Sequence, residues 1–130
     1  MMRWISILMA AIVIAACFFP WVIVESRHLT IGGFYSDVED LGKPGIIHSL
    51  LCSLFILFLL IFKTWSVRIA FILSTINIAW AARNFILVTA CGRGECPAKQ
   101  PALYFLIAGS VLMMITVLLI KMDTTENTVQ

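Results

Sequence analysis

The stretch "IAFILSTINIAWAARNFILVTACGRGECP", residues 69–97, decides how the whole chain is read. From Ile69 to Val88 it is apolar except for a few hydroxyls, two asparagines and Arg83. A hydrocarbon core about 30 Å thick takes roughly 20 helical residues, and about 17 suffice. The run then ends in Cys91-Gly-Arg-Gly-Glu-Cys96-Pro97, which is too polar and too rich in glycine to continue it. Trp4 to Val24, Gly45 to Phe62 and Ala102 to Ile120 are runs of the same kind. Across all four, Arg83 is the one charged side chain, with His48 beside it as a further ionisable group.

The composition agrees: of 130 residues, 62% are hydrophobic and 12% charged. A soluble domain is nearer half apolar and a quarter charged. Backbone in lipid must satisfy its own hydrogen bonds, and these runs lack the alternation of barrel strands, so they predict helices. The expected fold is an all-α membrane protein: one four-helix transmembrane domain over 1–130, with spans at about 3–24, 45–62, 68–90 and 101–120. Residues 25–44 form an outer loop and 122–130 a disordered cytoplasmic tail. A net charge of +2 without a basic cluster argues against nucleic acid. The longest segment outside the runs, about 20 residues, leaves no room for a soluble catalytic domain.

Residues 14–17, Ile-Ala-Ala-Cys, match the lipobox of bacterial lipoproteins, which would make Cys17 an acylated N-terminus. A lipoprotein cysteine is normally followed by a polar tether, however, and here Phe18-Phe19-Pro20-Trp21 follows. Ser6-xxx-Ala10 and Ala11-xxx-Ala15 are spacings that let helices approach closely, which favours a retained span.

An even number of spans puts both termini on one side. That side carries Arg3, Lys63, Arg68 and Lys121; the other carries Arg27, Lys43, Arg93 and Lys99. The tally is level, but the far side mixes its cations with Glu25, Asp37, Glu39, Asp40 and Glu95, and it holds the pair Cys91 and Cys96. An oxidising compartment would close that pair, so the termini are placed in the cytoplasm.

Within 25–44, the β-branched residues of 22–31, the turn-forming Gly32-Gly33 and a return at Phe34-Tyr35 predict a short hairpin over the outer face. Trp21 and Tyr35 fit one membrane interface and Trp65 the other. Pro44 fits the first turn of the second helix. Asp37, Glu39 and Asp40 lack the regular alternation of a calcium loop, and neither His28 nor His48 sits in a ligand spacing. No metal site, cofactor or catalytic group is expected.

In the third span Ser74, Asn77, Ala81 and Asn84 share one face, with Arg83 about 100° round beside Trp80. Asn77, Arg83 and Asn84 are the candidate intramembrane polar site, and Glu25 is the first candidate partner for Arg83. Cys91 and Cys96 are a candidate disulfide, since two intervening glycines let the thiols meet.

Pro20-Trp21-Val22, Gly42-Lys43-Pro44-Gly45, Arg83-Asn84-Phe85 and Cys91…Cys96-Pro97 together resemble small, uncharacterised four-span proteins of the bacterial inner membrane. The resemblance covers nearly the whole chain and implies architecture and location but no activity. The four-helix enzymes that form disulfides at the expense of quinone are similar in size, helix number, outer cysteine pair and intramembrane arginine. They use Cys-x-x-Cys, and generally a second outer pair, where this chain has Cys-x-x-x-x-Cys and no cysteine in 25–44.

Three functional expectations follow. The first is a non-enzymatic accessory or scaffold protein whose partners are membrane lipid and another membrane protein. The second is a thiol–disulfide oxidoreductase using Cys91 and Cys96. The third is a small lipid-, quinone- or solute-binding or transport bundle centred on Arg83.

Overall fold

A computed structural model of the chain describes residues 1–24, 28–34, 43–90 and 98–129. Among them, α1 (Met2–Ala16), β1 (Pro20–Val24), β2 (Leu29–Gly32), α2 (Pro44–Leu60), α3 (Thr64–Thr89), β3 (Ala98–Lys99) and α4 (Pro101–Val129) follow in order. The described chain is mostly helical, with one small sheet. α3 and the Pro101–Asp123 part of α4 are long and apolar enough to cross a membrane, while α1 and α2 are apolar helices of 15 and 17 residues.

Each helix packs on its neighbour in sequence, and α4 closes the ring against α1. Side chains at the ends fix the directions. Arg3 at the start of α1 donates Nη1 to the Leu59 carbonyl at the end of α2, at 2.8 Å. Trp80, late in α3, donates Nε1 to the Pro44 carbonyl at the start of α2, at 3.2 Å. Lys121, late in α4, lies 4.6 Å over the Phe71 ring, early in α3. Successive helices therefore run antiparallel, with the sheet at one end of the bundle and the α2–α3 turn at the other. Val13, Phe55, Leu59, Leu103, Leu106, Met113 and Val117 fill the interior.

The first apolar run does not continue as helix to residue 24. α1 stops at Ala16, because Pro20 cannot donate to an α-helical ladder and the β-branched residues 22–24 find strand partners. A helix end leaves carbonyls without intrahelical donors, and the Trp21 indole supplies one, donating Nε1 to Ala16 O at 3.1 Å. Trp21, expected at the membrane interface, is instead fully buried. Trp65 is about half exposed, and Tyr35 lies outside the described residues.

The sheet runs β2-β1-β3, antiparallel throughout. Val22, Ile23 and Val24 pair with Ile31, Thr30 and Leu29. On the other edge, Val22 and Ile23 pair with Lys99 and Ala98, and Gln100 N donates to Trp21 O at 2.8 Å. A hairpin was expected here, but its reversal falls earlier than Gly32-Gly33. β1 and β2 pair antiparallel, with His28 in the left-handed region at φ 52°, so Leu29–Gly32 is itself the return strand. Gly33 serves close approach instead: a Cβ there would lie 2.6 Å from the Cys17 carbonyl oxygen. Gly45, at the start of α2, stacks on it in turn, donating its N–H to the Gly33 carbonyl.

At the far end, α4 continues through residues expected to be a disordered tail. Nothing from Ser110 to Val129 is glycine or proline, so no residue there breaks the helix.

The glycine contacts give a graded expectation. In Gly45→Ala the new methyl would stand 2.5 Å from the Gly33 carbonyl carbon, which is backbone and cannot swing aside. Its cost should be about 1–3 kcal/mol or more, read as a lowered unfolding midpoint. In Gly109→Ala the methyl meets the tip of Val13, a side chain that can shift, so the loss should be smaller.

Candidate functional site

The polar side chains that matter most lie inside the bundle. His48 (α2), Asn77 (α3) and Ser110 (α4) are each essentially fully buried. His48 Nδ1 is 2.7 Å from Asn77 Oδ1, and Asn77 Nδ2 donates to Ser110 Oγ at 3.0 Å. Ser110 Oγ in turn donates to the Leu106 carbonyl at 2.8 Å. These bonds determine one another. The single hydroxyl proton of Ser110 goes to Leu106, so its oxygen accepts from the Asn77 amide; the amide oxygen then faces His48, and Nδ1 must carry the imidazole proton. One chain of hydrogen bonds thus clasps three helices. Trp21 stands edge-on to the His48 ring, 6.1 Å away, and joins the chain to the sheet.

Not every buried polar atom is paired. Among the described residues His48 Nε2, Ser49 Oγ and both side-chain atoms of Asn84 have no partner. Unpaired buried groups of this kind cost about 1–3 kcal/mol each. In the neutral ring Nε2 is a bare acceptor, while Asn84 offers both a donor and an acceptor.

The residues singled out by sequence separate into three groups. Ser74, Asn77, Ala81 and Asn84 form a buried stripe along α3. Arg83 does not join it: the side chain is exposed on the outer face, with its guanidinium carbon 4.9 Å over the Trp80 ring. Trp80 is itself tied to α2 through Pro44. A cation stacked on an indole at an exposed position gains about 0.5–1 kcal/mol. Arg83 therefore belongs to the α2–α3 seam rather than to the interior. Glu25, Cys91 and Cys96 lie outside the described residues, as do Asp37, Glu39 and Asp40.

Sequence reading passed over His48 and Ser110. The signal for His48 was present: an ionisable side chain in an otherwise apolar span is a functional pointer wherever it falls. The Ser110 hydroxyl is legible only once α4 is laid against α3. Cys17 and Cys52 are free, buried thiols. No group of three or more His, Cys, Asp or Glu among the described residues is placed to hold a metal ion. Comparison with protein-family models, curated proteins and solved structures finds no match to this chain.

Two substitutions distinguish the paired from the unpaired asparagine. Asn77→Leu leaves the His48 and Ser110 groups without their partner and should cost about 1–3 kcal/mol in unfolding free energy. Asn84→Leu removes two atoms that bond to nothing described, and should leave the midpoint unchanged or raised. Equal losses in the two variants would show that the three-helix clasp contributes nothing.

Proposed function

We propose that this chain is a non-enzymatic four-span membrane protein, an accessory or scaffold subunit that docks a helix of another membrane protein against α1. The architectural part rests on where the apolar side chains lie. Trp4 and Leu8 on α1, Leu50 and Leu57 on α2, Ile72 and Ile86 on α3, and Phe105 and Ile115 on α4 are all exposed, while His48, Asn77 and Asn84 are inside. An exposed apolar surface on every helix suits lipid better than water. α1 and α2 are short, but they pack side by side with α3 and α4, which supports placing all four at the same depth.

The reading places the chain in a bacterial inner membrane with both termini in the cytoplasm. Arg3, Lys63, Arg68 and Lys121 support that orientation, since all belong to the α2–α3-turn end.

The observation that carries the accessory role is how α1 uses its small residues. Ser6 and Ala10 are buried within the bundle. Ala11 and Ala15, the second small-xxx-small pair, are exposed on the outer face. Ala15 borders a groove of about 400 Å³ between α1 and α4, lined also by Ile12, Phe19, Ala102 and Phe105. Small residues beside an apolar groove let a neighbouring helix approach its backbone closely, which is how helices associate where lipid removes the hydrophobic drive.

The test is co-purification from native membranes in mild detergent. A defined partner should elute with the wild-type chain and be lost in Ala15→Leu, with the unfolding midpoint of the variant unchanged. A wild-type protein that elutes as a solitary monomer, or a partner retained by Ala15→Leu, counts against the reading. Appearance of the chain in the aqueous fraction after alkaline extraction would overturn the membrane assignment itself.

A second reading, a small solute- or quinone-binding bundle, is favoured by the unpaired atoms of His48 and Asn84. It moves the centre of that site from Arg83 to the interior of the bundle. A ligand retained through purification by the wild type and by Arg83→Ala, but lost in Asn84→Leu, would establish it.

A further inference from the structure

At the end of the bundle opposite the sheet, Phe62, Lys63, Thr64, Trp65 and Arg68 line an open cleft of about 510 Å³. All five side chains are exposed. The turn beneath is held firmly: Ser66 Oγ lies 2.6 Å from the Ile61 carbonyl and 2.7 Å from that of Lys63, within reach of both. Trp65 is steadied by Phe58, its ring 6.0 Å away and edge-on.

The charges around this cleft are not all engaged alike. Arg3 is occupied, bonding the Leu59 carbonyl and lying 4.9 Å over the Phe62 ring. Lys121 lies against Phe71. Lys63 and Arg68 make no ion pair or side-chain hydrogen bond with any described residue. Asp123 and Glu126, on the last turns of α4, are the described acidic residues at this end, and neither pairs with them. Two cations without a counter-charge thus face one cleft, with a hydroxyl between them and two aromatic rings at its walls.

We infer that this cleft binds the phosphate of an anionic phospholipid, with Lys63 and Arg68 as its counter-charges and Phe62 and Trp65 against the upper acyl chain. The inference rests on the membrane reading above. Arg68 supplies a fork of N–H donors that matches phosphate oxygens, Lys63 a mobile point charge, and Thr64 a further hydroxyl donor. The aromatic rings suit the boundary between headgroup and hydrocarbon, and basic residues at that level attract anionic lipid by about fivefold per charge. The same phosphate chemistry could come from a free anion, so the test must tell the two sources apart.

The full chain is stripped of lipid in detergent, then offered phosphatidylglycerol and phosphatidylcholine in competition, with retained lipid counted by native mass spectrometry. The wild type should prefer phosphatidylglycerol by at least about tenfold. Lys63→Gln with Arg68→Gln should bring the preference close to unity, while Lys43→Gln with Lys99→Gln, at the opposite end, should leave it intact. Helix content and elution volume report whether each variant is folded; should the double variant fail, the single variants, each about fivefold weaker, carry the test. No lipid preference in folded wild type, or the same preference in folded Lys63→Gln/Arg68→Gln, overturns the site. Displacement of the lipid by millimolar inorganic phosphate would assign the cleft to a free anion and overturn the lipid. These failures are distinct from failure of the membrane reading, which would show as wild-type chain stable in water without detergent.

Discussion

Trp21 is the residue on which the architecture turns. A helix that stops inside apolar surroundings must find donors for its last carbonyls, and the Trp21 indole provides one for Ala16. The same residue accepts the Gln100 amide on its carbonyl, which ties the approach to α4 onto β1. Its ring then stands against His48. One residue therefore bonds the end of the first helix and covers the polar chain with its side chain, while its backbone ties β1 to the approach of α4. If Trp21 did not turn inward, the Ala16 carbonyl would keep only its longer bond from the Phe19 amide, at 3.4 Å, and the His48 imidazole would lose its cover at the same end of the bundle.

This explains what was and was not legible in the sequence. The four apolar runs and their helical character follow from length and from the absence of alternation. The buried face of α3 follows from the three- and four-residue spacing of Ser74, Asn77, Ala81 and Asn84. The end of α1 was misplaced because hydropathy treats Phe18 to Val24 as more of the same run. Their backbone, however, is governed by Pro20 and by the strand partners at 29–32 and 98–99. The hairpin was foreseen but its turn was not, because Gly32-Gly33 looks like a turn and is used instead to let Cys17, β2 and α2 come within contact of one another. β3 is two residues long, and its only warrant is a neighbour more than seventy positions away. Arg83 drew attention as a charge in an apolar run, yet its partner is the adjacent indole, while the silent histidine of the second run lies at the centre.

The interior and the exterior follow opposite rules. Inside, His48, Asn77 and Ser110 are joined helix to helix. Outside, leucine, isoleucine and phenylalanine stand exposed with almost nothing to separate them from solvent except other apolar atoms. A polar chain within and a greasy surface without is what the proposed membrane setting would call for: in hydrocarbon, burial of apolar area would not drive helices together, and directional bonds and close backbone contact would take over. Gly109 supplies that contact between α4 and Val13, Met9 and Ile12 of α1, and His48, Asn77 and Ser110 supply the bonds.

The strand order β2-β1-β3 has a consequence for biosynthesis. Its middle strand leaves the ribosome early, and the second partner of that strand appears only after α2 and α3 have been made. Until Ala98 and Lys99 arrive, one edge of β1 lacks the partner it has in the finished fold, and the flank of α1 that α4 will cover stays open. Completion of the cap is therefore a timing event as well as a structural one: a nascent chain halted before residue 98 lacks both the second partner of β1 and the helix that covers α1, and the last stretch of synthesis supplies the two together.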